Sequence, residues 1–171
     1  MQTKQRLADA IDVQPSCRNR ILVRAYVPGT THLLLSSPQK LPCPSWNLPP
    51  ERTCLHKCTY CYAKHGRFIF DDVVGAMEAR YQWVEEASDD EIVRVLGRTI
   101  HPFKYFRVMG AGDFKNARYV RHWIRICEDI PDTNFWVSTK AWTDKTILKE
   151  LRKLATLPNV TVRPSSLQPH E

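Results

Sequence analysis

Cys54, Cys58 and Cys61 stand close together in "CLHKCTYCY", with Tyr60 directly before the last thiol and Tyr62 directly after it. Three thiolates at spacings of four and three converge on one centre only where the loop wraps around it. A tetrahedral structural zinc asks for a fourth ligand, and Cys43, His56 and His65 are the candidates. A C-x-x-C pair at 58 and 61 can act as a redox dithiol, but that leaves Cys54 and Tyr60 without a role. An iron–sulfur cube is the other solution. Four irons take four ligands, and with three from the protein one iron stays open to a cofactor or substrate.

The elements that must position this loop alternate in type. "RILVRAYV" (20–27) and "THLLLSS" (31–37) read as short strands around Pro28-Gly29. "SPQKLPCPSWNLPPERT" follows, a stiff irregular segment rich in proline that delivers the chain to Cys54. Helices are predicted over 71–87, with Gly75 as a weak point, and from Ser88 onward, where Ser88 and Glu91 have capping-box spacing. A strand at 104–109, a helix at 116–130, a strand at 134–138, a helix at 143–155 and a strand at 159–163 complete the chain. Alternating strand and helix is the pattern of parallel β/α units, and ligands of such folds gather beyond the C-terminal strand ends. The cysteine loop, "GAGDF" (110–114) and "TKAW" (139–142) each follow a predicted strand, so they are expected on one rim. The fold class is therefore α/β, a partial (β/α) barrel-like parallel sheet with a cysteine-rich loop. About four strands are able to join the sheet. A closed eight-unit barrel usually needs about 200 residues or more, so either the barrel is open or the sequence stops before the domain does.

The bulk properties narrow the setting. The chain has 171 residues, 43% apolar, a net charge of +7 and six cysteines. There is no long apolar run that would span a membrane, and "MQTKQRLADAIDVQ" has no apolar core of a secretory signal. A cytoplasmic location is expected, where clustered cysteines read as metal-binding or catalytic rather than as disulfides. Cys17 and Cys127 stand apart from the cluster, and Cys127 reads as a buried apolar residue. Charge is uneven: eight acids and one arginine lie from Asp71 to Glu91, and seven Lys/Arg with one acid from Arg98 to Arg125. That asymmetry fits an anionic partner such as nucleic acid, or complementarity between two helices.

The C-x3-C-x2-C spacing with Tyr60 before the third cysteine resembles the cluster loop of the radical S-adenosylmethionine superfamily. Gly110-Ala111-Gly112-Asp113, after the next strand, resembles that superfamily's glycine-rich segment ending in an acid. More narrowly, "CPSWNLPPERTCLHKCTYCYAKHGRFIF", "FRVMGAGDF", "FWVSTK" and "NVTVRPSS" resemble the phage and bacterial gene product 88 domain family, over about Leu41 to Ser166. The resemblance implies a radical-enzyme-like β/α domain at 41–171, after an N-terminal extension at 1–40. It implies a [4Fe–4S] cluster on Cys54, Cys58 and Cys61, with zinc as the alternative metal. S-adenosylmethionine would be held on the open iron, against Tyr60, Gly110, Gly112 and Asp113, and Lys140 is a further rim candidate. The activity implied is reductive cleavage of S-adenosylmethionine and hydrogen abstraction from a substrate. A reductant for the cluster, an anionic substrate or nucleic acid, and a dimer or partner subunit covering the open barrel side would be the partners. The alternative is a zinc- or cluster-stapled module that binds nucleic acid or a protein through its basic 98–125 region.

Overall fold

The structure, a computed structural model, describes residues 11–15, 21–38, 41 and 43–167. β1 (Ile11–Pro15) and β2 (Ile21–Ala25) pair antiparallel. Cys17 lies outside the described residues. A four-residue helix, α1 (Pro50–Thr53), leads into the cysteine loop, where Tyr62–Lys64 and Gly66–Ile69 form 3-10 turns. α2 (Asp71–Glu86) and α3 (Asp89–Ile100) follow, then β3 (Tyr105–Val108), α4 (Ala117–Asp129), β4 (Asn134–Thr139), α5 (Lys145–Leu154) and β5 (Val160–Pro164). β3, β4 and β5 form a parallel sheet in that order, so each of α4 and α5 is a crossover helix.

Local chemistry starts the helices where expected. Ser88 accepts the Glu91 amide at 3.2 Å, Asn116 accepts the Tyr119 amide at 3.3 Å, and Asp144 accepts the Thr146 and Ile147 amides. Each cap satisfies donors that the first helical turn leaves open. Phe106, Val108, Phe135 and Val137 project from β3 and β4 into a core shared with Ile92, Leu96, Val120, Trp123, Ile126, Ile147 and Leu151. Phe106 stacks on Trp123 with ring centres 5.7 Å apart. The alternate residues Tyr105, Arg107, Trp136 and Ser138 stay partly or largely exposed on the other face. Helices thus cover one side of the sheet.

Two sequence expectations change here. Among the described residues, the expected barrel-like sheet of about four parallel strands is an open sheet of three, not closed into a barrel. The segment 31–37 makes single bridges, Tyr26 to Leu33 and Ser36 to Ser45, in place of a strand. The position beside β3 is filled instead by residues 44–48. Trp46 N–H donates to the Arg107 carbonyl at 3.0 Å, and Leu48 N–H to Ala111 at 3.0 Å. Pro44 has no N–H with which to extend this pairing toward Tyr105, and the segment makes one bridge, Ser45 with Arg107.

The charge asymmetry is internal. Arg118 Nε meets Asp89 at 2.6 Å, Arg125 meets Asp90 at 2.7 Å, Lys115 meets Glu85 at 2.7 Å and Arg121 approaches Glu150 at 4.0 Å. Arg107 lies over the Trp136 ring at 4.8 Å. Four of the seven cations in the basic 98–125 region expected to bind nucleic acid or a partner are thus paired with acids of α2, α3 and α5, which corrects that expectation. His122 Nε2 also reaches Asp89 at 2.9 Å. The His122 hydrogen bond and Arg118 hold the Asp89 carboxyl at about 2. Its stabilising effect is present above the unfolded carboxyl range, near 3.9, and is lost as pH falls toward 2. Burial, opposed by Asp89, lowers the His122 pKa and keeps the ring neutral, so protonation of the unfolded chain starts to erode stability below about pH 6.5. Asp89 is half exposed, which limits its share to about 1 kcal/mol. Asp89→Asn should abolish that share of the acid sensitivity between pH 4 and 2, read by urea unfolding at a series of pH values. An unchanged acid limb would remove Asp89 as its source.

Candidate functional site

The loops after the strands meet at the C-terminal edge of the parallel sheet. β3 ends in a strained turn: Met109 has φ 55° and Gly112 φ 79°. Left-handed backbone is rare for a residue with a side chain, and such strain collects at functional sites. Asn47 Oδ1 accepts the Ala111 amide at 3.0 Å. Thr53 Oγ1 accepts the Asp113 amide at 3.2 Å while donating to the Pro49 carbonyl at 2.9 Å.

Asp113 binds this turn to the next strand. Its Oδ1 accepts the Phe114 amide at 2.8 Å and the Thr139 hydroxyl at 2.5 Å, and its Oδ2 accepts the Lys140 amide at 2.8 Å. Burial raises its pKa, against the pull of those donors. Both carboxylate oxygens are thus engaged by β4 and by the turn itself.

The two tyrosines around Cys61 reach in different directions. The Tyr62 hydroxyl donates to the Gly110 carbonyl, and Arg107 Nη2 lies 3.5 Å from the same hydroxyl. Tyr62 thereby clips the cysteine loop to the glycine turn. The Tyr60 hydroxyl donates to the Leu167 carbonyl and accepts from Lys140 Nζ at 2.6 Å. Lys140 Nζ also lies 3.5 Å from Cys58 Sγ and 4.6 Å from the Tyr60 ring centre. Burial works against the Lys140 charge, but the Tyr60 hydroxyl and the Cys58 sulfur outweigh it and raise its pKa. His56 Nε2 sits 2.8 Å from the Thr143 hydroxyl, tying the loop to the 3-10 turn Ala141–Thr143.

The rim brings together Cys58, Tyr60, Lys140, Asp113 and the glycine turn. It does not arrange the three thiols as a metal-holding group. Burial, with Asp113 and the neighbouring Cys61 and Cys58 sulfurs, pushes the Cys54 thiol up to about 12. Cys61 packs against the small apolar group of Ala63, Met77 and Ala111. Cys58 alone of the three faces Lys140. Cys43 is buried, and its thiol is raised by burial, with Arg107 opposing. Among the described residues, no group of three or more His, Cys, Asp or Glu side chains is arranged to hold a metal ion. This corrects the expected [4Fe–4S] cluster, the zinc alternative and S-adenosylmethionine held on an open iron, together with the radical chemistry and the cluster- or zinc-stapled module built on them. The reductant and the covering subunit expected for a radical chamber fall with the cluster that required them. Among the described residues, no helix is long and apolar enough to cross a membrane.

Asn47, Thr53, Thr139 and Arg80 escaped sequence reasoning. All four are buried polar side chains, and a polar residue inside an apolar stretch such as "PSWNLPP" was the available signal.

An open α/β domain with its loops converging beyond the C-terminal strand ends is the class that this fold and rim define. The Gene product 88 family model matches residues 18–171, and the chain belongs to that family. No curated protein and no solved structure matches the chain.

Proposed function

We propose that the domain performs thiol chemistry at the sheet rim, with Cys58 as nucleophile and Lys140 as the ammonium that faces its sulfur. The observation that carries this reading is the 3.5 Å approach of Lys140 Nζ to Cys58 Sγ. Thiolate, rather than thiol, is the reactive form, and reactive cysteines sit in partly exposed, electropositive surroundings. Cys58 is partly exposed, whereas Cys54 is held as a thiol by burial. Tyr60 orients the ammonium through its 2.6 Å hydrogen bond, and Asp113 fixes the Lys140 main chain. Gly110 and Gly112 let the turn pack directly against Asn47, Leu48 and Thr53, where a Cβ would clash. What the reading retains of the resemblance to the radical S-adenosylmethionine superfamily is the placement of these loops, without its cluster or cofactor. A cytoplasmic setting, in which thiols stay reduced, suits it.

Iodoacetamide titration near pH 7.5 with peptide mapping tests the proposal. Cys58 should be modified well before Cys54. Lys140→Met should slow Cys58 about threefold, the size expected when a partly exposed charge pair is lost. Equal rates at the two cysteines, or no response of Cys58 to Lys140→Met, would overturn it.

A further inference from the structure

The segment that leaves β5 crosses the rim and is held there through its main chain. Ser165 N–H donates to the Thr139 carbonyl at 2.8 Å, prolonging the β4–β5 ladder by one rung. Trp142 Nε1 donates to the Ser165 carbonyl at 3.1 Å. The Tyr60 hydroxyl donates to the Leu167 carbonyl, and Tyr60 is the residue that Lys140 grips beside Cys58. In each of these bonds the segment contributes an N–H or C=O that any residue could supply, apart from proline at the N–H. The groove walls contribute specific groups: a strand-end carbonyl, an indole N–H and a phenol. Recognition of that kind reads an extended backbone, the logic by which peptides add to sheet edges.

We infer that the groove formed by Thr139, Trp142 and Tyr60 is a binding site for an extended polypeptide segment, and that residues 165–167 of the chain occupy it as an internal strap. The inference rests on the rim being the functional site and names its substrate class. An extended peptide that displaces the strap would bring its own carbonyl to the Tyr60 hydroxyl, next to Cys58. The strap is then autoinhibitory, since the same groove cannot hold both chains.

The test uses the full-length protein and a fluorescently labelled synthetic peptide copying residues 160–167. Ser165→Pro removes the N–H that donates to Thr139 and leaves the groove walls unaltered. It should bind the peptide about tenfold more tightly than the parent, because loss of one main-chain hydrogen bond weakens the internal competitor by about that factor. In the unsubstituted protein, excess peptide should speed hydrogen exchange at the Ser165 amide, a measurement that stands even where Ser165→Pro fails to fold. Equal affinities, or in that case an unchanged Ser165 exchange rate, would overturn the inference. Lys140-dependent alkylation of Cys58 together with an absent peptide effect would sink the groove alone. Peptide binding without Lys140 dependence would sink the thiol reading alone.

Discussion

Arg80→Met should lower the stability of the domain by about 3 kcal/mol, because this arginine is a buried latch rather than a surface charge. Arg80 is 3% exposed. Its Nε and Nη2 donate to the Leu33 carbonyl at 3.1 and 2.8 Å, and its Nη1 donates to the Asn47 carbonyl at 3.2 Å. The guanidinium also faces the Trp46 ring, 6.0 Å from its centre, and Trp46 meets Trp83 of α2 edge-on. Burial pushes its pKa down to about 10, so it remains a cation at neutral pH. Methionine fills much of the volume but leaves the buried Asn47 carbonyl without its donor, the kind of loss that costs more than the original bond contributed. Lysine should recover only part of the difference, since one ammonium does not reproduce a planar fork spanning two carbonyls. The check is a urea melt in which the midpoint moves and the slope does not. A loss below about 1 kcal/mol would mean that water replaces the latch. The consequence reaches the rim, because Asn47 also holds the Ala111 amide through its side chain.

Arg80 shows where sequence reasoning stops. α2, α3, α4 and α5 were legible because their apolar residues recur at helical spacing, with an acidic first turn at α2 and a cap at α3 from Ser88 with Glu91. β3, β4 and β5 were legible as short apolar runs between those helices. The rim was legible in outline, since the loop positions follow from the alternation. Arg80 and Asn47 were not, because their partners are main-chain groups of a distant irregular segment, and such contacts leave no period in the sequence. β1 alternates apolar and polar over Ile11–Gln14, but four residues ending at a proline are too short a signal to announce a strand. The cysteines mark a different limit. Spacing along a loop says how near three side chains can come, and says nothing of which way each turns. Here burial raises the Cys54 thiol, Cys58 lies beside Lys140 and Cys61 packs against the Ala63, Met77 and Ala111 group. Tyr60 and Tyr62 anchor the loop on either side of Cys61.

Gly112→Ala should destabilise the domain by about 3 kcal/mol or more, combining left-handed strain with a clash that cannot relax cheaply. Gly112 has φ 79°, and a Cβ there would lie 2.7 Å from the Leu48 carbonyl oxygen and 2.7 Å from Thr53 Oγ1. The first neighbour is backbone. The second is the acceptor of the Asp113 amide, so relief of the clash would come at the expense of the turn that presents Asp113 to Thr139 and Lys140. Gly66 supplies the control within the same chain. It has φ 62°, yet a Cβ there meets nothing within 4 Å, so Gly66→Ala should cost only the conformational part, about 1 kcal/mol. The difference between the two melts isolates the contact at the rim from backbone preference. If both substitutions cost the same, the turn has room that its geometry denies. If only Gly112→Ala is severe, and it also removes the Lys140 dependence of Cys58 alkylation, the glycine turn and the thiol site are one mechanical unit, joined through Asp113.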